Sequence, residues 1–477
     1  MNILEKWENR FLFVPKILQM VVCLQYYTLH NLRHLFATDF FKISIAQYGE
    51  FNAYIQCVTF FSNIYVGLLA DRYGKHKQFL VSLLFATCGI FSVFFLNGMV
   101  KFGAFMFWTV LYVYQTFNLQ KQPLLDTIIF DYLAERPDCT PEVYGRQRMW
   151  GTVAYTMATF IVENMVTSHQ AGKPVYNWNN LLIYSLVFTG ISTLSLIFLV
   201  KSSGKVKAHK STTGYLTLMK NKDYAFFIFI MFMNAVTRQA MSNYLGNFQA
   251  RVLQIRPYSL PNAWPGWLKP LVGLFNNNYI STISIFGTFF EIMAMCFSER
   301  IIYYLGYFKP LLLAQLMSLI RFYAYYSMDK NGKHVFAFSC LVELIKGIYF
   351  GLAHISGFVI AARLAPPYLA ATSQMIFQGV FNALGSIVSG KAFSYAFGSN
   401  LKKSGDSASK EEIAAFELLF LVNIAISMCT ILIFVIKYGV IDGVLTNRAK
   451  EQEKLTYNEA DWETPEENTR HLIDQNA

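Results

Sequence analysis

Gly67-Leu68-Leu69-Ala70-Asp71-Arg72-Tyr73-Gly74-Lys75-His76-Lys77 is a compact charged stretch that lies between two long apolar segments. Its two glycines permit a tight turn, because glycine adopts backbone conformations that other residues avoid. Asp71 can accept hydrogen bonds from a helix N-terminus or from an arginine, and the cations can face an anionic lipid leaflet. The stretch therefore predicts a tight loop at a membrane surface. The alternative is an ordinary cationic loop between two membrane spans.

The composition excludes a conventional soluble domain. The 477 residues are 54% hydrophobic and only 14% charged, whereas about a quarter of the residues of soluble domains are charged. The net charge of +11 would suggest nucleic-acid binding in a soluble protein, but here the cations fall mostly in short loops between apolar segments. That distribution is a signal of membrane topology. We therefore predict an integral membrane protein that binds no nucleic acid.

The sequence shows no pattern typical of a metal site, a disulfide framework or an enzyme. Cys139 lies in a polar loop and the other six cysteines lie in apolar segments, without a Cys-x-x-Cys pair or a His/Cys cluster. There is also no nucleophile–base constellation and no glycine-rich phosphate loop. We expect no cofactor and no catalytic residue. The residues before the first apolar segment lack a small-residue cleavage site, so that segment is predicted to be retained.

Hydropathy divides the chain into two sets of six predicted spans, each long enough to cross about 30 Å of hydrocarbon in roughly 20 helical residues. The spans lie near residues 11–32, 48–70, 79–97, 102–125, 149–166 and 181–200, and near 224–245, 279–297, 310–327, 335–362, 368–397 and 413–437. The predicted domains are a first bundle (1–200), a basic cytoplasmic linker (201–222), a second bundle (223–446) and an acidic disordered cytoplasmic tail (447–477). With the N-terminus inside, the inner segments carry 23 Lys and Arg and the outer loops 12, as the positive-inside rule requires.

The second bundle repeats the charged stretch in a modified form. Ser298-Glu299-Arg300, followed by Leu305-Gly306-Tyr307-Phe308-Lys309, again places an acid–Arg pair before a glycine, an aromatic residue and a lysine. This repetition at the equivalent loop predicts that one six-helix unit occurs twice.

Residues 67–77 closely resemble the loop between helices two and three of the major facilitator superfamily, usually written GxLaDrxGrkxx, with His76 where a basic residue is usual. The resemblance implies an all-α integral membrane fold of twelve transmembrane helices in two six-helix bundles, both termini cytoplasmic, in a monomeric protein. It also implies a conformational gate at this loop, which holds the inward-closed arrangement. The candidate gate residues are Gly67, Asp71, Arg72, Gly74, Lys75, Lys77 and Arg148.

Two further stretches are similar to particular branches of this superfamily. Pro123-Leu124-Leu125-Asp126 and Tyr144-Gly145-Arg146-Gln147-Arg148-Met149-Trp150-Gly151-Thr152 resemble the lactose-permease-like and phenylpropionate-permease-like symporters. Residues 343–390 resemble the tenth and eleventh helices of the eukaryotic "domain-containing protein six" relatives. These resemblances imply a solute transporter without naming its solute. Signatures typical of drug antiporters and of facilitative sugar porters are missing from spans five, six and twelve.

Charged residues inside the predicted spans are the main functional candidates, because a charge at the bilayer centre costs roughly 3 kcal/mol or more. Arg238 and Glu291 are predicted to be the solute anchor and the proton or charge partner. Arg321 lies about as deep and could compete with Arg238 for Glu291. The other charged candidates are Glu343, Lys346, Asp126 and Lys121.

Several of these charges also have a structural interpretation. Glu343 and Lys346 are spaced to pair on one helix face, which stands beside a role in a cavity. Asp126 is interpreted first as an acceptor for Arg146 or Arg148 in the next loop, and second as a proton site.

Polar and aromatic residues crowd the outer half of span one and part of span four. They include Gln25, Tyr26, Tyr27, His30, Asn31 and Arg33 on span one, and Gln115, Asn118 and Gln120 on span four. Such a helix is better suited to line a water-filled path than to face lipid. Amides and aromatic rings suit a polyhydroxylated or ring-containing solute. Hydrogen bonds between helices are the alternative role of any one of them.

The sequence thus predicts a secondary active transporter of a small polar organic solute, with the proton as coupling ion and alternating access as mechanism. A transporter-shaped receptor or scaffold without transport activity is the alternative. The membrane could be the plasma membrane or that of an organelle. Residues 251–278 contain four prolines, and we expect them to form an interfacial lid over the outer mouth.

Overall fold

The computed structural model describes most of the chain in atomic detail. The described residues are 8, 11–30, 32–33, 36–41, 45–96, 103–136, 143–170, 173–200, 214–255, 265–277, 279–330, 332, 334–366, 369–397 and 410–455. Cys139, Asn31 and most of the predicted acidic tail lie outside them.

The first bundle consists of seven α-helices in the described residues. They are α1 (Phe13–Tyr26), α2 (Ile45–Tyr73), α3 (His76–Val93), α4 (Gly103–Asn118), α5 (Lys121–Ala134), α6 (Tyr144–Val166) and α7 (Asn179–Leu199). A short π-helix, Phe36–Phe40, follows α1, and an antiparallel hairpin of β1 (Thr167–Gln170) and β2 (Lys173–Tyr176) joins α6 to α7.

The predicted basic linker contains a short helix, α8 (Gly214–Lys220). The helices that follow it are α9 (Lys222–Asn247), α10 (Leu268–Asn277), α11 (Tyr279–Cys296), α12 (Ser298–Leu305), α13 (Phe308–Tyr326), α14 (Val335–Arg363), α15 (Ala370–Gln378), α16 (Gly385–Phe397), α17 (Lys410–Phe434) and α18 (Arg448–Lys454). Three π-helical segments, Phe248–Val252, Gly379–Leu384 and Val435–Ile441, extend or join these helices.

The sequence predicted that the fourth span ends at residue 125, but the helical region continues to Ala134. Helix α4 stops at Asn118, and α5 continues to Ala134. Pro123 lies in the first turn of α5, where a proline is tolerated because the amide it lacks would have no partner within the helix. Asp126 is therefore in the interior of a helix, whereas the prediction placed it near the end of a span.

Apolar side chains cover the outside of the bundle as well as its interior. Phe105 and Phe198 are each 79% exposed, and Leu432 is 61% exposed, although a soluble protein rarely exposes large contiguous apolar surfaces. By length and composition, five of the described helical stretches can cross a membrane: His76–Val93, Asn179–Leu199, Lys222–Ser242, Val335–Arg363 and Lys410–Ile441. The chain is thus a multi-pass membrane protein.

The two glycine-containing stretches found in the sequence have the same backbone role in the two bundles. Gly74 follows α2 with φ +57° and donates its amide to Ala70 O; Gly306 follows α12 with φ +77° and donates to Ile302 O. Both residues have a positive φ, which glycine adopts without strain because it has no Cβ. We call the end of the molecule that carries Gly74 and Gly306 the motif end, and the end that carries β1 and β2 the hairpin end.

The segment after residue 447 is ordered at its start, so the predicted disordered tail is wrong for residues 447–455. Asn447 caps α18 by accepting from the amides of Ala449 and Lys450. The buried Glu451 carboxylate accepts from the amides of Tyr307 and Phe308 at 2.6 and 3.0 Å. These amides open α13 and have no partner within the helix, so a carboxylate is well suited to them.

The predicted lid region is only partly described. Residues 256–264 lie outside the described residues, and the remainder contains α10 with Trp267 77% exposed beside it.

Candidate solute cavity between the two bundles

A cavity of about 420 Å³ lies between the two bundles. Helices α1, α2, α5 and α6 line it from the first bundle, and α9, α11, α13 and α14 from the second. The cavity extends toward the hairpin end, where Leu245, Gln249 and Ile283 line it. The predicted candidates that reach it are Tyr27, His30, Arg148, Arg238, Glu291, Arg321, Glu343 and Lys346.

Arg238 is held in a fixed position by a π-helical segment. Its Nη1 donates to Phe381 O at 3.2 Å and to Asn382 Oδ1 at 3.0 Å, and its guanidinium lies 4.4 Å from the Phe381 ring centroid and 4.8 Å from that of Phe350. Gln239 Nε2 donates to Asn382 O at 3.0 Å. A π-helix shifts the regular hydrogen-bond pattern, which leaves carbonyls for side chains, and such segments are frequent at functional sites.

Glu291 joins the two bundles. Its Oε1 accepts from Thr152 Oγ1 of α6 at 2.6 Å, and one turn along the same interface Thr156 and Thr288 hydroxyls lie 3.5 Å apart. Helix α14 packs closely on α11 beside this site: a Cβ on Gly347 would lie 2.5 Å from Gly287 O. Small residues at such contacts are typical of helices packed in membranes.

Glu343 pairs mainly with Arg321 of a different helix. Glu343 Oε1 accepts from Arg321 Nη2 and Nε at 2.7 and 3.1 Å and from Tyr325 Oη at 2.8 Å, while Lys346 Nζ lies 3.7 Å from Oε2. The prediction that Arg321 competes for Glu291 is therefore wrong in this structure, because Arg321 is engaged by Glu343. The i,i+3 pair exists, but it is the weaker of the two contacts.

Asp126 and Arg148 form a polar cluster at the inner wall of the cavity. The fully buried Asp126 Oδ1 accepts from Gln19 Nε2 at 2.9 Å and from Gln122 Nε2 at 3.0 Å, and Arg148 Nε lies 3.9 Å away. Gly151 lies beside this arginine, since a Cβ there would come within 2.3 Å of Arg148 Nη1. Arg148, predicted to belong to the gate, thus lies at the cavity and not at the loop that carries Gly74.

Four predicted candidates do not line the cavity: Asp126, which lies behind Arg148, and three residues that bond within the first bundle. Lys121 Nζ donates to Gln25 Oε1 and to Thr87 Oγ1 inside the first bundle. Asn118 Nδ2 donates to Tyr26 O at 3.2 Å, and the Gln115 amide lies against the Arg33 guanidinium. For Gln115 and Asn118 these contacts fit the alternative interpretation, hydrogen bonding within the bundle.

An aromatic cluster covers the α1 side of the cavity. The Tyr27 ring meets those of His30 and Tyr155 edge to face, with centroids 5.3 and 5.0 Å apart. Tyr26 packs against Tyr27 at 4.9 Å. Edge-to-face rings present both polarised edges and π-faces, which suit a ring-containing solute.

His354 is a cavity residue that the sequence interpretation missed. It is only 4% exposed, neither ring nitrogen has a hydrogen-bond partner among the described residues, and its ring lies 4.9 Å from Phe350 and 5.0 Å from Phe358. Its position in the middle of the apolar helix α14 was the available signal, because ionisable groups inside membranes are rarely incidental.

The motif end is closed by contacts between the bundles. Arg146 Nη2 lies 2.7 Å from Glu299 Oε2, and a Cβ on Gly145 would come within 2.4 Å of Ser298 Cβ. Helix α2 also packs against α15. The repeated stretch in the second bundle therefore lies directly against the start of α6.

The gate candidates of the first stretch fall into three groups. Lys77 Nζ donates to Ile197 O and Val200 O at the end of α7, at 3.1 and 2.5 Å. Arg72 and Lys75 are exposed. The side chain of Asp71 and the surroundings of Gly67 lie outside the described residues.

Comparison with known proteins agrees with this architecture. The model of the MFS_1 like family matches residues 41–400. No curated protein matches the chain in sequence. Among solved structures, a mutant of the nucleoside transporter NupG superposes with a TM-score of 0.61 at 15% identity, covering 89% of this chain and 98% of that one. The NupG structure without that mutation gives 0.58 at 16% identity, with the same coverage.

The two structural matches show the fold, and the family match covers most of the chain. The narrower likeness to lactose-permease-like, phenylpropionate-permease-like and "domain-containing protein six" proteins stays a prediction. The chain belongs to the MFS_1 like family of the major facilitator superfamily, and it is a membrane-embedded secondary transporter, not an enzyme.

Proposed function

We propose that this protein carries a small polar organic solute across the membrane by alternating access and couples that movement to protons in symport. The observation that supports this most directly is the cavity between the bundles, bridged by the Thr152–Glu291 hydrogen bond of 2.6 Å. A site at the bundle interface can face either side of the membrane when the bundles rock against each other.

In this proposal the chain has twelve spans, and the motif end is cytoplasmic, as the excess of Lys and Arg in the motif-end loops favours. The conformation described here is closed at the cytoplasmic end, with the cavity directed to the opposite side. The basic linker and the C-terminal segment then lie in the cytoplasm. A monomer suffices, because both halves of the site belong to one chain.

Glu291 is the proposed proton site. It accepts a hydrogen bond from α6 of the first bundle. The charged groups that act on it are Arg148 on α6, Arg238 on α9 and Lys346 on α14, and the Tyr27 hydroxyl just after α1 also lies near it. As a carboxylate it attracts Arg148 and holds the bundles together. Protonation removes that attraction, so binding a proton favours rearrangement of the interface. Asp126 is the second acid available for this role.

The experiment that tests the proposal uses purified protein in liposomes that contain a pH-sensitive dye. Solutes are added in turn from a panel of sugars, nucleosides, peptides and organic acids. We expect one class to cause acidification of the lumen and to exchange in counterflow. Glu291→Gln should abolish the proton signal and retain counterflow, because exchange does not require net proton movement.

The matched control is Glu417→Gln, since Glu417 is partly exposed and pairs with Lys330 away from the cavity. This variant should keep both signals. Counterflow of no solute by folded protein would overturn transport in favour of a receptor or scaffold. Proton movement that survives in Glu291→Gln would move the coupling role to Asp126.

A further inference from the structure

Resting on the proposed function, we propose that the solute is an organic anion with a ring, whose acidic group binds at Arg238. This assigns a charge class to the solute, which the family membership leaves open. Two independent features of the cavity support it: its charge balance and the geometry of Arg238.

The charged groups of the cavity leave one cation unbalanced. The lining contains four cations, Arg148, Arg238, Arg321 and Lys346, and two acids, Glu291 and Glu343. Asp126, behind Arg148, brings a third acid, at 3.9 Å. Arg321 and Lys346 share Glu343, whereas no carboxylate of the described residues lies within 4 Å of Arg238. An anionic solute would supply the acceptor oxygens of opposite charge that Arg238 lacks among the described residues.

Arg238 is fixed in the manner of a binding group. One nitrogen is anchored to Phe381 O and Asn382 Oδ1, and the guanidinium plane lies between the Phe350 and Phe381 rings. The side chain is only partly buried and lines the cavity, so its remaining donors face the solute space. A guanidinium already held in place loses little conformational entropy when it binds a carboxylate or phosphate.

The ring of the solute is assigned to the aromatic side of the cavity. Tyr27, His30 and Tyr155 form the edge-to-face cluster there, and Phe350 of α14 also lines the cavity. The volume of about 420 Å³ suits one small ring-bearing molecule, since pockets for such ligands measure about 300 to 1,000 Å³.

The test measures binding to purified full-length protein in nanodiscs with two matched pairs: benzoate with benzamide, and uridine monophosphate with uridine. We expect the anionic member of at least one pair to bind at least tenfold more tightly than its neutral partner. The pair that responds distinguishes a carboxylate from a phosphate. Arg238→Gln should remove the preference and Arg238→Lys should keep part of it. Arg300→Gln, which alters an exposed arginine at the motif end, should leave it unchanged.

Three outcomes would overturn the inference: equal or tighter binding of the neutral members, an unaltered preference in Arg238→Gln, or no binding of either anion. Counterflow of benzamide or uridine in the same protein would then retain the proposed transport function while removing the anion. Loss of counterflow for every solute would remove both.

Discussion

Gly145 is the position at which a single methyl group should open the motif end. An alanine Cβ there would lie 2.4 Å from both Cβ and Oγ of Ser298 and 3.3 Å from Met295 O. Carbon atoms in contact are separated by about 3.5 to 4.0 Å. Neither Cβ can rotate away, because each is attached directly to a helix backbone. The start of α6 and the start of α12 must therefore move apart by more than about 1 Å.

The size of the effect follows from the cost of overpacking. Adding a methyl group to a tight contact costs about 1 to 3 kcal/mol, which lowers the ratio of closed to open protein by roughly 5- to 150-fold. The nearby Arg146–Glu299 pair has side chains 45% and 42% exposed, and such a pair contributes at most about 1 kcal/mol. We therefore expect Gly145→Ala to open the motif end more than Arg146→Gln does.

Pulsed electron paramagnetic resonance between spin labels at Lys75 and Tyr304, one on each bundle and both exposed, measures this opening directly. Unnatural amino acids carry the labels, which leaves the native cysteines in place. Gly145→Ala should add a population at longer distance, and adding Ser298→Gly should remove it. The control is Gly190→Ala, because nothing lies within 4 Å of a Cβ added there. A distance distribution identical to that of wild type would refute the reasoning.

Three further predictions concern charges away from this contact. Glu343→Gln should lower the free energy of unfolding by about 3 to 5 kcal/mol, because it leaves Arg321 charged and buried. Lys330→Gln, which alters a partly exposed pair, should lower it by less than about 1 kcal/mol. Equal losses of stability in the two variants, measured by calorimetry, would contradict this. Burial alone would raise the pKa of Asp442, but hydrogen bonds from two lysines hold that pKa below its ordinary value. The stabilising effect of the Asp442 carboxylate is therefore complete above about pH 4 and is lost as the pH falls further. Asp442→Asn should make the melting temperature less dependent on pH in that acidic range. Glu451→Gln weakens charge-assisted hydrogen bonds worth about 1.5 to 3 kcal/mol each, so hydrogen–deuterium exchange at the start of α13 should rise at least tenfold; unchanged protection would show that the carboxylate does not hold the C-terminal segment.

Hydropathy located most of the described helices because the sequence of a membrane helix reflects its lipid environment directly. Each must satisfy its backbone internally and present an apolar surface, and both requirements act on a continuous stretch of sequence. The errors arose where a distant residue decides the outcome. The start of the tail is ordered because Glu451 meets amides 143 and 144 residues earlier. The amino-acid composition around residue 451 does not reveal a contact with such distant residues, so the order of this segment could not be predicted.

The site was only partly predictable for the same reason. Depth within a span identified Arg238, Glu291 and Arg321 as buried, but burial does not specify a partner. The i,i+3 spacing made the Glu343–Lys346 pair visible in the sequence, whereas Arg321, on another helix, forms the shorter contact of 2.7 Å. Gln115, Asn118 and Lys121 were expected in the cavity because they are polar. Gln115 and Asn118 lie on α4 and Lys121 begins α5, and all three side chains bond within the first bundle. Polarity alone does not reveal the rotation of a helix about its axis.

The buried charges of the two bundles differ in how they are paired, and this difference bears on the proposed mechanism. In the first bundle, Asp126 lies beside Arg148, and Lys121 is enclosed by Gln25 and Thr87. In the second, Arg238 has no acid of the described residues within 4 Å, and Glu291 is hydrogen-bonded to the opposite bundle. In the proposed function, Arg238 binds the solute and Glu291 binds the proton, so both groups belong to the second bundle, while the first supplies a hydroxyl and a nearby cation. The proposed rocking of the bundles would change the distance between Arg148 and Glu291 more than the distance between Arg238 and Phe381, which belong to the same bundle. We therefore expect access to the cavity and the charge of Glu291 to be linked through the interface, with the proposed solute anchor retained in both orientations.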